Sequence, residues 1–157
     1  MNVYASTLTR FLLFSTMIST PLMAQTEINP IYDQSLAEKV GADEYGMKRY
    51  VMAFLSRGPN RERPKAEADE LQRLHMTNIE RLAEEGKLVL AGPFLTDGEL
   101  RGIYIFDVET IEQAQQLTAT DPAIKAGSLV MELVPWYGSA ALMEVNAIHN
   151  TLAKTLM

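Results

Sequence analysis

The sequence predicts a single mixed α+β domain built on an antiparallel β-sheet. Short apolar runs that end near glycine or proline alternate with segments of helical spacing, in the order strand, helix, strand, strand, helix, strand. The two middle strands flank the dipeptide Asp97-Gly98, which is a strong hairpin signal. Two of the strands contain or run into a proline, Pro93 or Pro135, and this element order places both strands at the sheet edges, where a missing backbone donor is tolerated.

Length and composition limit the classes of protein. A chain of 157 residues is long enough to bury a core that needs neither disulfides nor a structural metal. The absence of cysteine excludes thiolate zinc sites, iron–sulfur clusters and cysteine nucleophiles. With 14 Lys plus Arg against 20 Asp plus Glu, the formal charge is -6, which argues against nucleic acid as a partner.

The first 24 residues predict a secretory signal peptide. The apolar run at residues 11–19 follows a segment with one basic residue, and residues 20–24 end in small side chains with cleavage expected after Ala24. A transmembrane helix is the alternative, but the run falls well short of the roughly 20 apolar residues that cross a bilayer. We therefore expect a periplasmic or secreted protein that is not held at a membrane after cleavage.

An arm of residues 25–48 leads into the domain and predicts one short helix, Gln34–Val40. Residues 50–55 (YVMAFL) form an apolar run too short for a helix and predict a buried strand. A long helix follows over residues 64–85, because apolar residues recur there at helical spacing. Gly86 stands where a left-handed residue commonly ends a helix.

The second half of the domain repeats this alternation. Residues 88–95 and 100–106 predict the two strands of the hairpin. Thr110, followed three residues later by glutamine, has the capping-box pattern of a helix over Ile111–Thr118. The run LVMELV at residues 129–134 predicts the last strand of the core.

This order is the split βαβ, or ferredoxin-like, arrangement, which we assign to residues 49–136, with a helical tail over residues 137–157. Its two helices cover one face of the sheet. The apolar runs of the strands, however, place apolar residues on both faces. A second copy packed face to face would cover the other face, as in a dimeric α+β barrel. We favour this homodimer over the alternative, in which the arm or the tail folds back over the sheet.

Two polar residues stand at positions that suggest chemistry. His75, one of two histidines, lies four residues after Leu71 and four before Ile79, which places it on the apolar stripe of the long helix. It is either a core histidine satisfied by a backbone carbonyl or a functional imidazole. Asp121 precedes Pro122, and capping of a short helical turn would by itself explain this carboxylate.

These residues carry a resemblance to the YCII-related (YciI-like) family. Residues 74–94 (LHMTNIERLAEEGKLVLAGPF), the Asp97-Gly98 turn and residues 121–127 (DPAIKAG) resemble that family, and the likeness runs from about Tyr50 to Trp136. The resemblance implies a dimeric ferredoxin-like protein with a His–Asp pair in a cleft, which falls here on His75 and Asp121. Secreted members are also similar at residues 41–47 and 135–142.

Two departures from the family pattern concern the cleft. Many members place an arginine three residues before the histidine, where this chain has Gln72 with Arg73 beside it, so we expect no anion contact from that position. Many also place an aromatic residue after Asp-Pro, where this chain has Ala123. We expect a wider pocket than in those members, and the candidate pocket residues are Arg73, Gly92, Pro93 and Tyr104.

The resemblance and the residue chemistry together suggest an enzyme. A carboxylate bound to one imidazole nitrogen fixes the tautomer and leaves the other nitrogen free to move a proton. His75 would then be a general acid/base with Asp121 as its orienting partner, in elimination, isomerisation or dehydrohalogenation of a small cyclic or aromatic compound. We expect no cofactor and no metal. The alternative is a non-catalytic periplasmic dimer that binds a small ligand or acts as an accessory protein.

Overall fold

The computed structural model describes residues 29–155, so the predicted signal peptide lies outside the described residues. The described residues divide between two units, residues 29–32 and residues 33–155. Of the first unit, residues 29–32 form a turn closed by the Tyr32 amide on the Asn29 carbonyl at 3.1 Å. None of the helices found within residues 29–155 combines the length and the hydropathy of a membrane span.

The second unit contains a four-stranded antiparallel sheet with its helices in the predicted order, so the predicted α+β ferredoxin-like fold is confirmed. The strand order is β2-β3-β1-β4. The elements are α1 (Gln34–Val40), β1 (Met47–Arg57), α2 (Lys65–Glu84), β2 (Leu88–Pro93), β3 (Leu100–Phe106), α3 (Ile111–Thr118), α4 (Pro122–Lys125), β4 (Leu129–Ser139), a 3-10 helix (Ala140–Glu144) and α5 (Val145–Leu152). The strands containing Pro93 and Pro135 are the two edge strands, as predicted.

Local signals set most helix boundaries. The capping box of Thr110 and Gln113 is present at the start of α3. Gly86 follows α2 with a φ of 68°, a left-handed conformation that favours glycine. In contrast, β1 and β4 extend beyond the predicted apolar runs, because they pair continuously from Met47 opposite Ser139 to Arg57 opposite Leu129. Backbone pairing at the polar ends of these strands does not depend on apolar side chains.

The main core lies between the sheet and the helices. Alternate residues of β1, Val51, Ala53 and Leu55, are buried on this face together with Tyr104 and Phe106 of β3. Leu82 of α2 and Ala114 of α3 pack onto them. Filling this layer leaves Leu82 only 1% exposed, and burial of a leucine side chain contributes roughly 1.5–3 kcal/mol.

The opposite face of the sheet is covered in part by the chain after β4. Tyr50, Val89 and Ile105 are buried there, with Leu142 and Met143 packed against them. The coverage stops partway along the strands. Beyond it the described residues leave an uncovered apolar patch of Met52, Phe54, Ile103, Val130 and Val134, with the exposed Glu132, which pairs with Phe54, in its middle. The tail thus accounts for one part of the second face and not for the rest.

Candidate functional site

His75 occupies the inner side of α2, which packs against β2 and α4. The buried residues of this helix, His75, Asn78 and Leu82, recur at intervals of three and four, so two of the three side chains that α2 buries are polar. Asp121 is the N-cap residue of α4 and is only 1% exposed. A histidine and an aspartate separated by 46 positions therefore meet in the interior.

The imidazole and the carboxylate are hydrogen-bonded. Nδ1 of His75 lies 2.8 Å from Oδ2 and 3.0 Å from Oδ1 of Asp121. Oδ1 also accepts the backbone N–H of Ala123 at 2.8 Å, as an N-cap does. The two interpretations of Asp121, a helix cap and a partner of His75, are therefore both realised by one carboxylate. The partner of Nδ1 is this carboxylate and not a backbone carbonyl.

Tyr104 approaches the other side of the imidazole. Its hydroxyl oxygen lies 3.2 Å from Nε2 of His75. With a proton on Nδ1 for Asp121, Nε2 is an acceptor and the phenol donates to it, an assignment that follows from the hydrogen-bond partners. This corrects the expectation that Nε2 is free. Burial, and to a lesser extent the charge of Asp121, raises the pKa of the Tyr104 phenol far above its usual range, so the hydroxyl stays protonated.

A second polar cluster lies one helical turn beyond His75. Oδ1 of Asn78 accepts from the hydroxyl of Thr120 at 2.9 Å and from the guanidinium of Arg81 at 2.9 Å. These bonds tie α2 to the residue that precedes Asp121. Nδ2 of Asn78 is buried without a hydrogen-bond partner among residues 29–155. This cluster was not predicted, although the spacing of His75 and Asn78 was a signal for it.

The four predicted pocket residues are not all near the pair. Tyr104 contacts His75. Arg73 lies two positions before His75, about 200° around the helix, and its exposed guanidinium bonds to Glu70 at 2.7 and 2.8 Å. Arg73 therefore lies on the outer side of α2 and does not line a pocket with His75, contrary to the prediction.

The two predicted pocket residues of β2, Gly92 and Pro93, lie on opposite faces of the sheet. Gly92 pairs with Ile103, which faces the sheet surface opposite the helices, so Gly92 is separated from His75 by the sheet. Pro93 pairs with Gly102 and shares the face of Tyr104, at the exposed edge of the sheet. Arg101 reaches the carbonyls of Thr96 and Gly98 in the hairpin turn and is partly exposed there.

A cavity of about 220 Å³ adjoins the pair without including it. Its walls include Leu71, one turn before His75, and Ala123, two residues after Asp121. Gln72 also lines it, so both positions that depart from the family pattern lie in this wall. Within residues 29–155, no three His, Cys, Asp or Glu side chains converge as metal ligands would.

Comparisons with known proteins found one family model that matches the chain and a solved structure that is similar to it. A sequence model of the YCII-related domain matches residues 50–137, which is more than half of the chain. Among solved structures, the chain is similar to 5-chloro-2-hydroxyhydroquinone dehydrochlorinase from Burkholderia phenoliruptrix, solved with 2,5-dihydroxybenzoquinone, at 19% identity and a TM-score of 0.41. That likeness covers 55% of this chain and 92% of the dehydrochlorinase. No curated protein matches the chain.

Proposed function

This chain belongs to the YCII-related domain family, and on that premise we propose that it is a small-molecule enzyme in which His75 is the general acid/base. Asp121 is its orienting partner. The reaction class is elimination, isomerisation or dehydrohalogenation of a small cyclic or aromatic compound, as the resemblance implies.

One observation carries the proposal, the buried hydrogen bond between Nδ1 of His75 and the carboxylate of Asp121. The side chains are 10% and 1% exposed, so an ionisable pair has been removed from water. Such burial has a large desolvation penalty, and an apolar pair of similar size would give the core equal or greater stability. A function for the pair explains why the fold tolerates this penalty.

The proton chemistry follows from the two hydrogen bonds. Asp121 accepts from Nδ1, which leaves Nε2 as the basic atom of the ring. In an elimination, Nε2 takes a proton from a substrate carbon, the C–H electron pair becomes a double bond, and the leaving group departs with its own pair. Before substrate arrives, the Tyr104 hydroxyl, which stays protonated because its pKa is raised, donates to Nε2 and holds the ring. The hydroxyl turns away when the lone pair of Nε2 takes the substrate proton.

The test uses a panel of chlorinated phenols, hydroquinones and lactones, with turnover followed by absorbance and chloride release. We expect His75→Gln to lower kcat by about 10²- to 10⁴-fold, the contribution of a general base. His149→Gln is the matched control, because His149 is an exposed histidine of α5. Turnover by His75→Gln at the wild-type rate would refute the assignment.

We also propose that the protein is exported and lacks residues 1–24 in its mature form. The short apolar run and the small residues before Ala24 support this. Mass spectrometry of the protein from a periplasmic extract should give a chain that begins at Gln25. A chain that retains Met1 in that fraction would contradict it.

A homodimer is the third part of the proposal. The uncovered apolar patch on the second sheet face supports it, since Val130 and Val134 are 45% and 37% exposed beside half-buried Met52, Phe54 and Ile103. A symmetric second copy presents the same patch and so covers it. The chain after β4 already covers the neighbouring part of this face, so the patch is the part left for a second copy to cover.

A second candidate function is binding without catalysis. The observation that favours it is that both imidazole nitrogens are hydrogen-bonded, Nδ1 to Asp121 and Nε2 to Tyr104. The His75 residue is also only 8% exposed. NMR of the His75 ring separates the two candidates. A ring that titrates and responds to members of the panel supports the enzyme, whereas a ring that ignores pH and every compound supports a structural pair.

A further inference from the structure

Two arginines line the cavity beside the His–Asp pair. Arg61 and Arg63 belong to the segment between β1 and α2, and both contribute to the cavity wall. No Asp or Glu is among the lining residues, although acidic side chains outnumber basic ones by 20 to 14 in the whole chain. The cavity is therefore a locally cationic site in an acidic protein.

The guanidinium of Arg63 is largely buried, and no carboxylate lies within close hydrogen-bonding distance to neutralise its charge. Its side chain is 12% exposed, and the nearest carboxylate, that of Glu67, lies 3.8 Å away and is itself 63% exposed. One further bond, from its Nη2 to the carbonyl of Asn60 at 2.7 Å, is made within residues 29–155. A guanidinium has five N–H donors, and arginine is rarely this buried without a close partner. Arg63 thus retains donors for an anion.

Arg61 can supply a second cation at the same place. Its side chain is exposed and makes no hydrogen bond or ion pair with the rest of the described chain. It can therefore turn toward a ligand without breaking an existing contact. Two arginines that line one cavity suit the two oxygens of a carboxylate, which arginine binds in a bidentate manner.

The remaining walls and the volume restrict the ligand. Leu71, Ala123 and Leu129 provide an apolar surface, and Gln72 adds one amide. A volume of about 220 Å³ is below the roughly 300–1,000 Å³ of pockets that take drug-sized molecules. We propose that this cavity binds a small organic carboxylate, with its anionic group on Arg61 and Arg63 and an apolar body of one ring against Leu71 and Ala123.

This inference rests on the proposed function in one respect, since it makes the bound carboxylate the substrate class of the neighbouring His75. The position supports that link. Leu71 precedes His75 by one helical turn, about 6 Å along the axis of α2, so a ring held at Leu71 lies one turn from His75, which does not itself line the cavity. Binding itself needs no chemistry at His75 and is tested separately.

The test is an NMR titration of the mature protein with benzoate and with benzamide, its neutral counterpart of the same shape. We expect benzoate to bind at least about tenfold more tightly than benzamide, as hydrogen bonds between charged groups imply. The shifted amide signals should be those of Leu71, Gln72 and Ala123. Added salt should weaken the binding of benzoate and leave that of benzamide unchanged.

Variants assign the preference to the two arginines. Arg61→Gln, an exposed change that spares the fold, should weaken benzoate severalfold, and Arg61→Gln with Arg63→Gln should bind both compounds alike. Arg73→Gln is the matched control, because Arg73 is an arginine on the outer side of α2. Equal affinities of the wild type for the two compounds, binding of neither, or an unchanged preference in both arginine variants would overturn the site.

His75→Gln separates this inference from the proposed function. It should bind benzoate within about twofold of the wild type while losing turnover. If turnover by His75→Gln survives while the arginine variants lose benzoate, the catalytic assignment fails and the anion site stands. If turnover is lost but the arginine variants keep their preference for benzoate, the anion site fails and the catalytic assignment stands.

Discussion

The hydroxyl of Tyr104 lies 3.2 Å from Nε2 of His75, on the side of the ring opposite the carboxylate of Asp121. The imidazole is therefore held at both nitrogens, by a strand residue and by the cap of a short helix. Because burial and Asp121 raise the pKa of Tyr104, the phenol can donate to Nε2 and cannot serve as a free phenolate at neutral pH. His75 is left as the group that accepts a proton.

Replacement of Tyr104 by phenylalanine should lower kcat modestly. One hydrogen bond that orients the ring contributes about 1 kcal/mol, which corresponds to a loss of about five- to tenfold. If instead the phenol passed the proton to the substrate, the loss would match that of His75→Gln. Kinetics of both variants on the same compound decide between orientation and relay, and an equal loss in the two would contradict the positioning role.

Alkaline pH should destabilise the fold through Tyr104. Its pKa in the folded protein is raised above the unfolded value of about 10, so the folded state holds the phenol proton more tightly. The contribution is fully present below about pH 10 and is lost as pH rises toward the folded pKa. Urea unfolding between pH 8 and 11 should show a smaller loss of stability for Tyr104→Phe than for the wild type.

Two other tyrosines serve as the background in that experiment. The pKa of Tyr50 is raised by burial, and that of Tyr137 by its hydrogen bond to Asp43. Both are present in the wild type and in Tyr104→Phe, so the difference between the two proteins reports Tyr104 alone. Parallel stability curves across this pH range would show that Tyr104 does not carry the effect.

Much of the fold could be predicted from local patterns, and the site only in part. Apolar runs, the Thr110 capping box and Gly86 are signals within a few residues, and each of them was confirmed. The contact of Tyr104 with Nε2 depends on how a helix lies over a strand, which spacing along one element does not determine. Arg73 was misplaced for a different reason, since its angle of about 200° around α2 from His75 follows from the spacing of the two residues, and its partner Glu70 lies on the same outer side.

The two roles of the Asp121 carboxylate can be separated by paired variants. Asparagine caps helices about as well as aspartate, so Asp121→Asn should keep the bond to the Ala123 amide and lose the negative charge. Asp121→Ala loses both, and the missing cap alone costs about 0.5–2 kcal/mol. Urea unfolding should rank the wild type above Asp121→Asn and Asp121→Ala last, whereas turnover should be lost in both variants. Wild-type turnover by Asp121→Asn would show that the carboxylate serves only as a cap.

The uncovered apolar patch predicts the behaviour of the mature protein in solution. Light scattering should give twice the mass of one chain, and Val134→Glu should reduce it to a single chain, because it adds a second carboxylate beside that of Glu132 in an otherwise apolar interface. Val134 is 37% exposed within the single chain, so the substitution leaves the core of each protomer intact. Leu95→Glu is the matched control, since Leu95 is 99% exposed in the loop after β2 and lies outside the patch. A wild-type protein that elutes as a monomer at micromolar concentration would mean that the patch is not an interface, and loss of the dimer in Leu95→Glu would place the interface at the hairpin turn instead.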